Sequence, residues 1–204
     1  MLNILALLAC NSVRGSVDGD NVPSLPTAFF VEDDEYFGND GVIRVFLSSA
    51  DLGCEGYDDL YEDLDDEAQQ LDVEGYADVW RDRLPEDFWE INVIFRVNDI
   101  DDKQSSVDFD AQDWDDGLGE DDEASFFITH FTDYPGDTWT TVTPDSKSYS
   151  NDRGTVSVRR HKPGDFISGF FDAEVVDAGD GDSEGEARVN FSASRCSAME
   201  GWLL

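Results

Sequence analysis

Closely spaced carboxylates are the residues of this sequence that could do chemistry most directly, because acidic oxygens that converge on one point bind calcium. Asp180, Asp182 and Glu184, followed by Gly185, match the opening of a D-x-D-x-D-G calcium loop. The twelfth position of that loop requires a bidentate Glu, and Phe191 stands there. A second partial match comprises Asp113, Asp115, Asp116 and Gly117. The sequence therefore leaves two alternatives open, a calcium site at Asp180, Asp182 and Glu184 or an acidic surface loop.

Catalytic constellations are poorly represented in the chain. Serine catalysis of the α/β-hydrolase type needs a G-x-S-x-G elbow, and the sequence contains none. His130 and His161 are the two histidines, and His130 falls inside an apolar strand pattern that favours a packed side chain. Paired carboxylates hydrolyse glycosides, but no particular pair stands out among 48 Asp and Glu residues. We therefore expect no catalysis and no catalytic residues, and calcium is the one candidate cofactor.

Tryptophan side chains offer a second route to ligand binding, because a large aromatic face can stack on a carbohydrate ring. Trp114 and Trp139 lie in or near polar stretches, where an exposed ring could serve as such a platform. Trp80 and Trp89 fall at core-like positions of their segments, so packing is the expected role for both.

The charge balance of the chain is extreme: 13 Lys and Arg oppose 48 Asp and Glu, which gives a formal net charge of −35. Nucleic acid and anionic membrane surfaces are excluded as partners, because binding them requires cations that neutralise phosphates. A solvated surface adapted to salt explains this composition, and cation binding is the alternative. One basic run occurs, and we expect it to pair with the chain's own acids rather than with an acidic ligand; it comprises Arg153, Arg159, Arg160 and Lys162.

The first ten residues, MLNILALLAC, form an apolar run that is too short to span a bilayer, which needs about 20 residues. Its end, Leu7-Leu8-Ala9-Cys10, resembles the lipobox of bacterial lipoproteins. The resemblance implies that residues 1–9 are a signal peptide and that Cys10 becomes an acylated N-terminus, with palmitate-type chains as a membrane anchor. The location it implies is the cell envelope, on the periplasmic or cell-surface side. The alternative is a buried N-terminal strand or helix with an incidental cysteine.

The cysteine count fits this resemblance. The chain has 3 cysteines, and an odd number in a secreted protein needs an explanation. If Cys10 carries lipid, Cys54 and Cys196 remain, and an oxidising envelope compartment allows them to form a disulfide. Metal ligation is the weaker alternative, because the sequence has no C-x-x-C spacing.

Alternating apolar residues predict the strands that must position these groups. Two such runs and a third that ends at Cys196 predict a β-meander over residues 155–196. Further strands are predicted at 12–18, 27–32, 42–49, 88–98, 124–132 and 139–143. The strand at 42–49 is apolar on both faces, which predicts a central position in the sheet. From Tyr57 the apolar period becomes that of a helix with an acidic face, and a second, shorter helix is predicted from Glu74 to about Arg83, ended by Pro85. The connections at 99–123 and 144–153 are predicted to be loops, and Gly19-Asp20-Asn21 is predicted to be a turn.

The predicted fold is mainly β: an antiparallel β-sandwich or barrel-like domain over residues 10–204, with one acidic helical insertion around 57–84. The arrangement resembles a loose group of uncharacterised bacterial lipoproteins through the segments 169–173 and 191–196, and that resemblance implies no catalytic activity. We predict a lipid-anchored cell-envelope protein with a structural or binding role, whose partner beyond the membrane is a protein or a glycan. A calcium-dependent adhesion or carbohydrate-binding module is the alternative.

Overall fold

The structure, a computed structural model, describes residues 11–33, 42–96, 104–110, 124–136, 138, 144–161 and 166–201. The strands within these ranges are β1 (Ser12–Val17), β2 (Asp20–Asn21), β3 (Thr27–Asp33), β4 (Val42–Ser48), β5 (Phe88–Arg96), β6 (Gln104–Asp110), β7 (Ala124–Phe131), β8 (Ser146–His161), β9 (Phe166–Asp177) and β10 (Ser183–Arg195). The helices are α1 (Gly53–Gln70) and α2 (Val73–Arg83), followed near the C-terminus by a short 3₁₀ helix, Ala198–Gly201. Several predicted features lie outside the described residues: the signal peptide and Cys10, the acidic segment 113–117, Trp114, Trp139 and the strand at 139–143.

The strands form one 10-stranded sheet whose two ends meet. β3, β4, β5, β7, β8, β9 and β10 are hydrogen-bonded neighbours in that order, and each of these pairings is antiparallel. β10 then pairs in parallel with β3, where Ser194 lies opposite Phe29 and Arg195 opposite Phe30. β1 pairs with the same edge of β10, and β6 pairs with β8 beyond β7. The described strands therefore close into a barrel-like sheet, which confirms the predicted mainly-β class.

Two apolar cores form, because β3 and β4 carry large apolar side chains on both faces. Phe30 and Val45 point into the barrel and belong to its inner core. Phe29 and Phe46 point outward, stack with ring centroids 4.8 Å apart, and belong to a second core under the helices. The prediction that β4 is a central strand is confirmed, since it pairs with β3 on one side and β5 on the other.

Helix α1 covers the outer face of the barrel with the apolar stripe that its sequence predicts. Leu60 and Leu64 are buried in the outer core, while the acidic residues between them face outward. The helix begins at Gly53, four residues before the predicted start, and the Gly53 N–H donates to Thr27 Oγ1 at 3.1 Å. Helix α2 begins after Asp72, whose carboxylate accepts from the Gly75 N–H at 3.0 Å and so caps the helix.

Some segments that the sequence predicts as loops or turns are strands. β6 lies inside the acidic connection 99–123, and the first half of β8 occupies the polar stretch 146–153. Asp20–Asn21, predicted as part of a turn, forms β2 beside β1. These predictions were wrong because the segments are rich in polar residues, so apolar alternation marks them only weakly, at Val107 and Phe109 of β6. Backbone pairing with the edge of a neighbouring strand supplies the hydrogen bonds that define them.

Candidate functional site

A pocket of about 530 Å³ opens between the two helices and the outer face of the sheet. Its walls come from α1 and α2, and its floor comes from β5 and β7. Small-molecule sites in proteins have volumes of about 300–1,000 Å³, so a small organic molecule fits a space of this size. The lining comprises the apolar residues Leu60, Leu64, Ala68, Leu84 and Pro144, the aromatic residues Tyr57, Tyr61, Tyr76, Trp80 and Phe131, and the acids Asp65 and Glu90.

The aromatic wall of the pocket follows from helical periodicity. Tyr57 and Tyr61 are four residues apart on α1, and Tyr76 and Trp80 are four residues apart on α2, so each pair shares one helix face. The Trp80 ring lies 5.6 Å from the Phe131 ring of β7, measured between centroids. The sequence assigned Trp80 to a core. The residue does pack against the outer core, and it also lines the pocket.

The floor of the pocket carries a carboxyl group, that of Glu90 on β5. Its strand neighbours Trp89 and Ile91 point into the inner core, so strand alternation directs Glu90 outward beneath the helices. The Tyr57 hydroxyl lies 2.7 Å from Ser48 Oγ and 3.3 Å from Glu90 Oε1. One buried tyrosine of α1 therefore connects the adjacent strands β4 and β5 and holds the carboxyl in place.

The ionisation of Glu90 is shifted by this environment. Burial raises the pKa of Glu90 to about 7, against the opposing effects of the hydrogen bond from Tyr57 and the charge of Arg44. Its carboxyl group therefore gains and loses a proton near neutral pH. Burial and the Glu90 charge also raise the pKa of Tyr57 and of Tyr61. Both hydroxyl groups consequently remain protonated and able to donate hydrogen bonds.

Two polar atoms on this side of the sheet, Trp80 Nε1 and Asn92 Oδ1, are buried and have no hydrogen-bond partner among the described residues. Leaving such a group unsatisfied costs about 1–3 kcal/mol. Trp80 lines the pocket through other atoms of its side chain, because its Nε1 atom has almost no accessible surface. Asn92 lies two residues beyond Glu90 on the same face of β5.

The acidic loop that the sequence proposed for calcium lies between β9 and β10, away from the pocket. Its carboxylates are engaged with the turn itself: Asp180 Oδ1 accepts from the Asp182 N–H at 3.0 Å, and Asp177 Oδ1 accepts from the Gly179 N–H at 2.7 Å. Burial, followed by the surrounding acids, raises the pKa of Glu184. Across the described part of the chain no three Asp, Glu, His or Cys residues form a cluster suited to a metal ion. A calcium site at this loop remains a prediction.

The disulfide between Cys54 and Cys196 is present, with the two Cα atoms 5.8 Å apart. It joins the first turn of α1 to the end of β10, and 142 residues separate its ends in the sequence. Cys196 is fully buried in the outer core beside Met199. The bond therefore fixes the start of the helix that forms one wall of the pocket.

His130 is a packed strand histidine, as the sequence predicts. It is 8% exposed, stacks on Trp89 with ring centroids 4.0 Å apart, and places Nε2 3.0 Å from Asp87 Oδ1. It points away from the pocket. Within the predicted basic run, the Arg159 side chain is exposed, and the side chains of Arg153, Arg160, His161 and Lys162 lie outside the description. On the acidic face of α1, Asp63 pairs with Arg83 of α2. The expected pairing of the basic run with the chain's own acids stays a prediction.

Sequence reasoning did not single out Glu90 or the three pocket tyrosines as site residues. The available signal was Glu90 itself, an acid in the middle of the strand segment FWEINVIFR. Its significance depends on what covers that face of the strand, and a pattern within one strand does not reveal this.

Comparison of the chain with protein-family models, with curated proteins and with solved structures found no match in any of the three. Among the described residues, no helix is long and apolar enough to cross a membrane. The class that the fold defines is a mainly-β, barrel-like domain with a disulfide-linked helical pair on its outer face.

Proposed function

We propose that the chain is a lipid-anchored binding protein of the cell envelope, without catalytic activity, which holds a small organic ligand between the helix pair and the sheet. The observation that carries this proposal is the pocket of about 530 Å³. Aromatic walls with a few polar groups at fixed positions are the usual composition of a ligand site.

The polar groups of the pocket favour binding over catalysis. Glu90 has a tyrosine hydroxyl as its hydrogen-bond partner, and neither a serine nor a histidine lines the pocket in the described residues. A carboxyl group in such a setting can recognise a ligand by charge and hydrogen bonding, whereas the aromatic rings supply apolar contact area.

The disulfide supports a location outside the cytoplasm. Disulfides persist in oxidising compartments and are rare where cellular thiols keep cysteines reduced. Pairing of Cys54 with Cys196 leaves Cys10 as the remaining cysteine, in agreement with the lipobox that ends there. An acyl anchor at Cys10 would hold the binding domain at the membrane, because each buried CH₂ contributes about 0.8 kcal/mol.

Fragment screening by ligand-observed NMR tests the binding site. We expect fragments that bind the native chain to lose their binding to Ala68→Trp, which places a large side chain at the pocket rim. Gln70→Trp, on the same helix but outside the lining, is the matched control and keeps binding. If every fragment treats the two variants alike, the pocket is not the ligand site.

Metabolic labelling with an alkyne analogue of palmitate tests the anchor. In a bacterial host, the full chain should incorporate label and fractionate with membranes, and Cys10→Ser should abolish both. A mature protein whose mass shows an intact, unacylated N-terminal segment would contradict the envelope assignment.

The predicted calcium-dependent module is the alternative function. It requires saturable calcium binding, which the double variant Asp180→Asn/Asp182→Asn should remove.

A further inference from the structure

We infer that the ligand of this pocket is an organic ammonium ion with an apolar body, held by the Glu90 carboxylate at the floor and by the faces of the surrounding aromatic rings. This inference rests on the proposed function and adds the chemical class of the ligand. It follows from charge, ring arrangement and size, each of which excludes a different class of molecule.

The charge of the lining selects cations. Its ionisable groups other than tyrosines are two acids, Asp65 on α1 and Glu90 on β5, and no Lys, Arg or His belongs to the lining in the described residues. Arg44 of β4 acts on Glu90 from outside that lining. The net charge of −35 on the whole chain adds a negative field that concentrates cations and repels anions.

The aromatic walls favour an organic cation over a metal ion. A cation within about 6 Å of a ring centroid is attracted by the negative face of the ring, most strongly for Trp. Tyr61, Tyr76, Trp80 and Phe131 bring four aromatic rings to the lining, from both helices and from β7. Calcium and magnesium need six or more oxygen ligands, and this apolar lining does not supply them.

The size of the pocket describes the rest of the ligand. A space of about 530 Å³ accommodates an apolar group as well as the charged one. An arylalkylamine has both features, because its ring supplies the apolar body and its ammonium group the charge.

Binding should release a proton, because an ammonium ion beside Glu90 favours the carboxylate. Burial raises the pKa of Glu90 to about 7 in the free protein, against the opposing charge of Arg44, so part of the population carries this proton at pH 7. Tyr57 and Tyr61 face the same space from α1, and their raised pKa values keep both hydroxyl groups protonated. The expected release at pH 7 is therefore a fraction of a proton per bound ligand.

A matched series of three probes tests the inference by isothermal titration calorimetry at pH 7: tyramine, the neutral 4-ethylphenol and the anionic 3-(4-hydroxyphenyl)propionate. We expect tyramine to bind at least tenfold more tightly than 4-ethylphenol, and the anion to bind weakest. Repeating the tyramine titration in buffers of different ionisation enthalpy measures the proton release.

Two variants separate the role of Glu90 from general electrostatics. Glu90→Gln should weaken tyramine at least tenfold, leave 4-ethylphenol unchanged and abolish the proton release. Glu62→Gln removes a carboxyl group at an exposed position of α1 outside the lining, and tyramine should bind it as it binds the native chain. A conserved thermal transition verifies that each variant folds.

The outcomes distinguish this inference from the proposed function. If 4-ethylphenol binds as tightly as tyramine and Ala68→Trp blocks both, the pocket is a ligand site but the ammonium class is wrong. If none of the probes binds at millimolar concentration, the ammonium inference is overturned. The fragment screen then tests separately whether the pocket binds any ligand. Equal losses in Glu90→Gln and Glu62→Gln would also overturn it, because the effect would then be one of net charge.

Discussion

At the residue scale, the chemistry of Glu90 is decided by helix α1 rather than by the strand that carries it. β5 directs the side chain outward by simple alternation, and an outward acid on an uncovered strand would be an ordinary solvated carboxylate. Tyr57 and Tyr61 of α1 cover it, and burial then raises the pKa of Glu90 to about 7. The same covering makes Tyr57 the hydrogen-bond partner of both Ser48 and Glu90.

Glu90→Gln should stabilise the protein at alkaline pH. Burial raises the pKa of this carboxyl from an ordinary 4.5 to about 7, so folding opposes its ionisation. The resulting loss of folding free energy is small below the unfolded pKa of 4.5 and grows between pH 4.5 and pH 7. It reaches about 3 kcal/mol above pH 7. The free energy gained by Glu90→Gln should therefore rise by about 2 kcal/mol between pH 5.5 and pH 8.

Urea unfolding at both pH values, followed by tryptophan fluorescence, measures this gain. Glu62→Gln, on the exposed face of α1, serves as the control for the removal of a carboxyl group outside the pocket. A gain of equal size at pH 5.5 and pH 8 in Glu90→Gln would mean that the Glu90 carboxyl titrates as an ordinary surface acid.

At the scale of elements, α1 depends on features at its two ends. At the start, the Cys54–Cys196 disulfide ties the helix to the end of β10. At the end, Leu71 adopts the left-handed conformation with φ of 57°, and its N–H bonds back to Ala68 O at 3.1 Å. Leu71 is also 71% exposed, so its side chain makes few packing contacts that could offset the cost of the left-handed conformation.

Removing the disulfide should lower stability substantially. A bond that closes a loop of this length, with ends 142 residues apart, restricts the unfolded chain and is expected to contribute about 3–5 kcal/mol. The double variant Cys54→Ala/Cys196→Ala should lose this amount in urea unfolding, compared in a Cys10→Ser background that prevents thiol exchange. Reduction of the parent protein with dithiothreitol should lower the free energy of unfolding by the same amount. A double variant as stable as the oxidised parent would show that the disulfide does not stabilise the fold.

Leu71→Gly should stabilise α1 by about 0.5–1 kcal/mol, because glycine adopts the left-handed conformation without the clash of a Cβ. Leu71→Ala is the matched control, since it removes the leucine side chain but keeps the Cβ. Thermal unfolding of both variants provides the comparison. If Leu71→Ala gains as much as Leu71→Gly, the benefit comes from removing an exposed apolar side chain and not from the backbone.

At the scale of the whole molecule, the sequence predicts the strands with apolar alternation but not how the sheet closes. β5, β7, β9 and β10 follow that alternation, and β3 and β4 are recognised by apolar runs. Closure depends on the short parallel contact of β10 with β3 at Ser194 and Arg195, which joins distant parts of the chain and leaves no local pattern. β6 is polar and becomes a strand only because the edge of β8 is available. The pocket could not be predicted from the sequence for the same reason, because its lining comes from two helices and two strands that are distant in the chain.

The surface charge of the molecule should make its stability depend on salt. The net charge of −35 produces self-repulsion that folding intensifies by bringing the acids together. The Debye length falls from about 10 Å at 0.1 M to about 3 Å at 1 M salt, so screening relieves this repulsion. We expect the midpoint of thermal unfolding to rise by about 4–8 °C between 0.1 M and 1 M NaCl, which corresponds to roughly 2 kcal/mol for a chain of this size.

The form of the salt dependence identifies its cause. Screening saturates once the Debye length is shorter than the spacing between charges, so the greater part of the gain should be complete by 1 M, and KCl should match NaCl at equal ionic strength. Sucrose stabilises proteins by exclusion from their surface, so the unfolding midpoint should keep rising with sucrose concentration and reach no plateau. Calcium and magnesium chloride at equal ionic strength should also match each other, because a solvated acidic surface does not distinguish the two ions. A larger gain with calcium, lost in Asp180→Asn/Asp182→Asn, would instead establish the β9–β10 loop as a specific site.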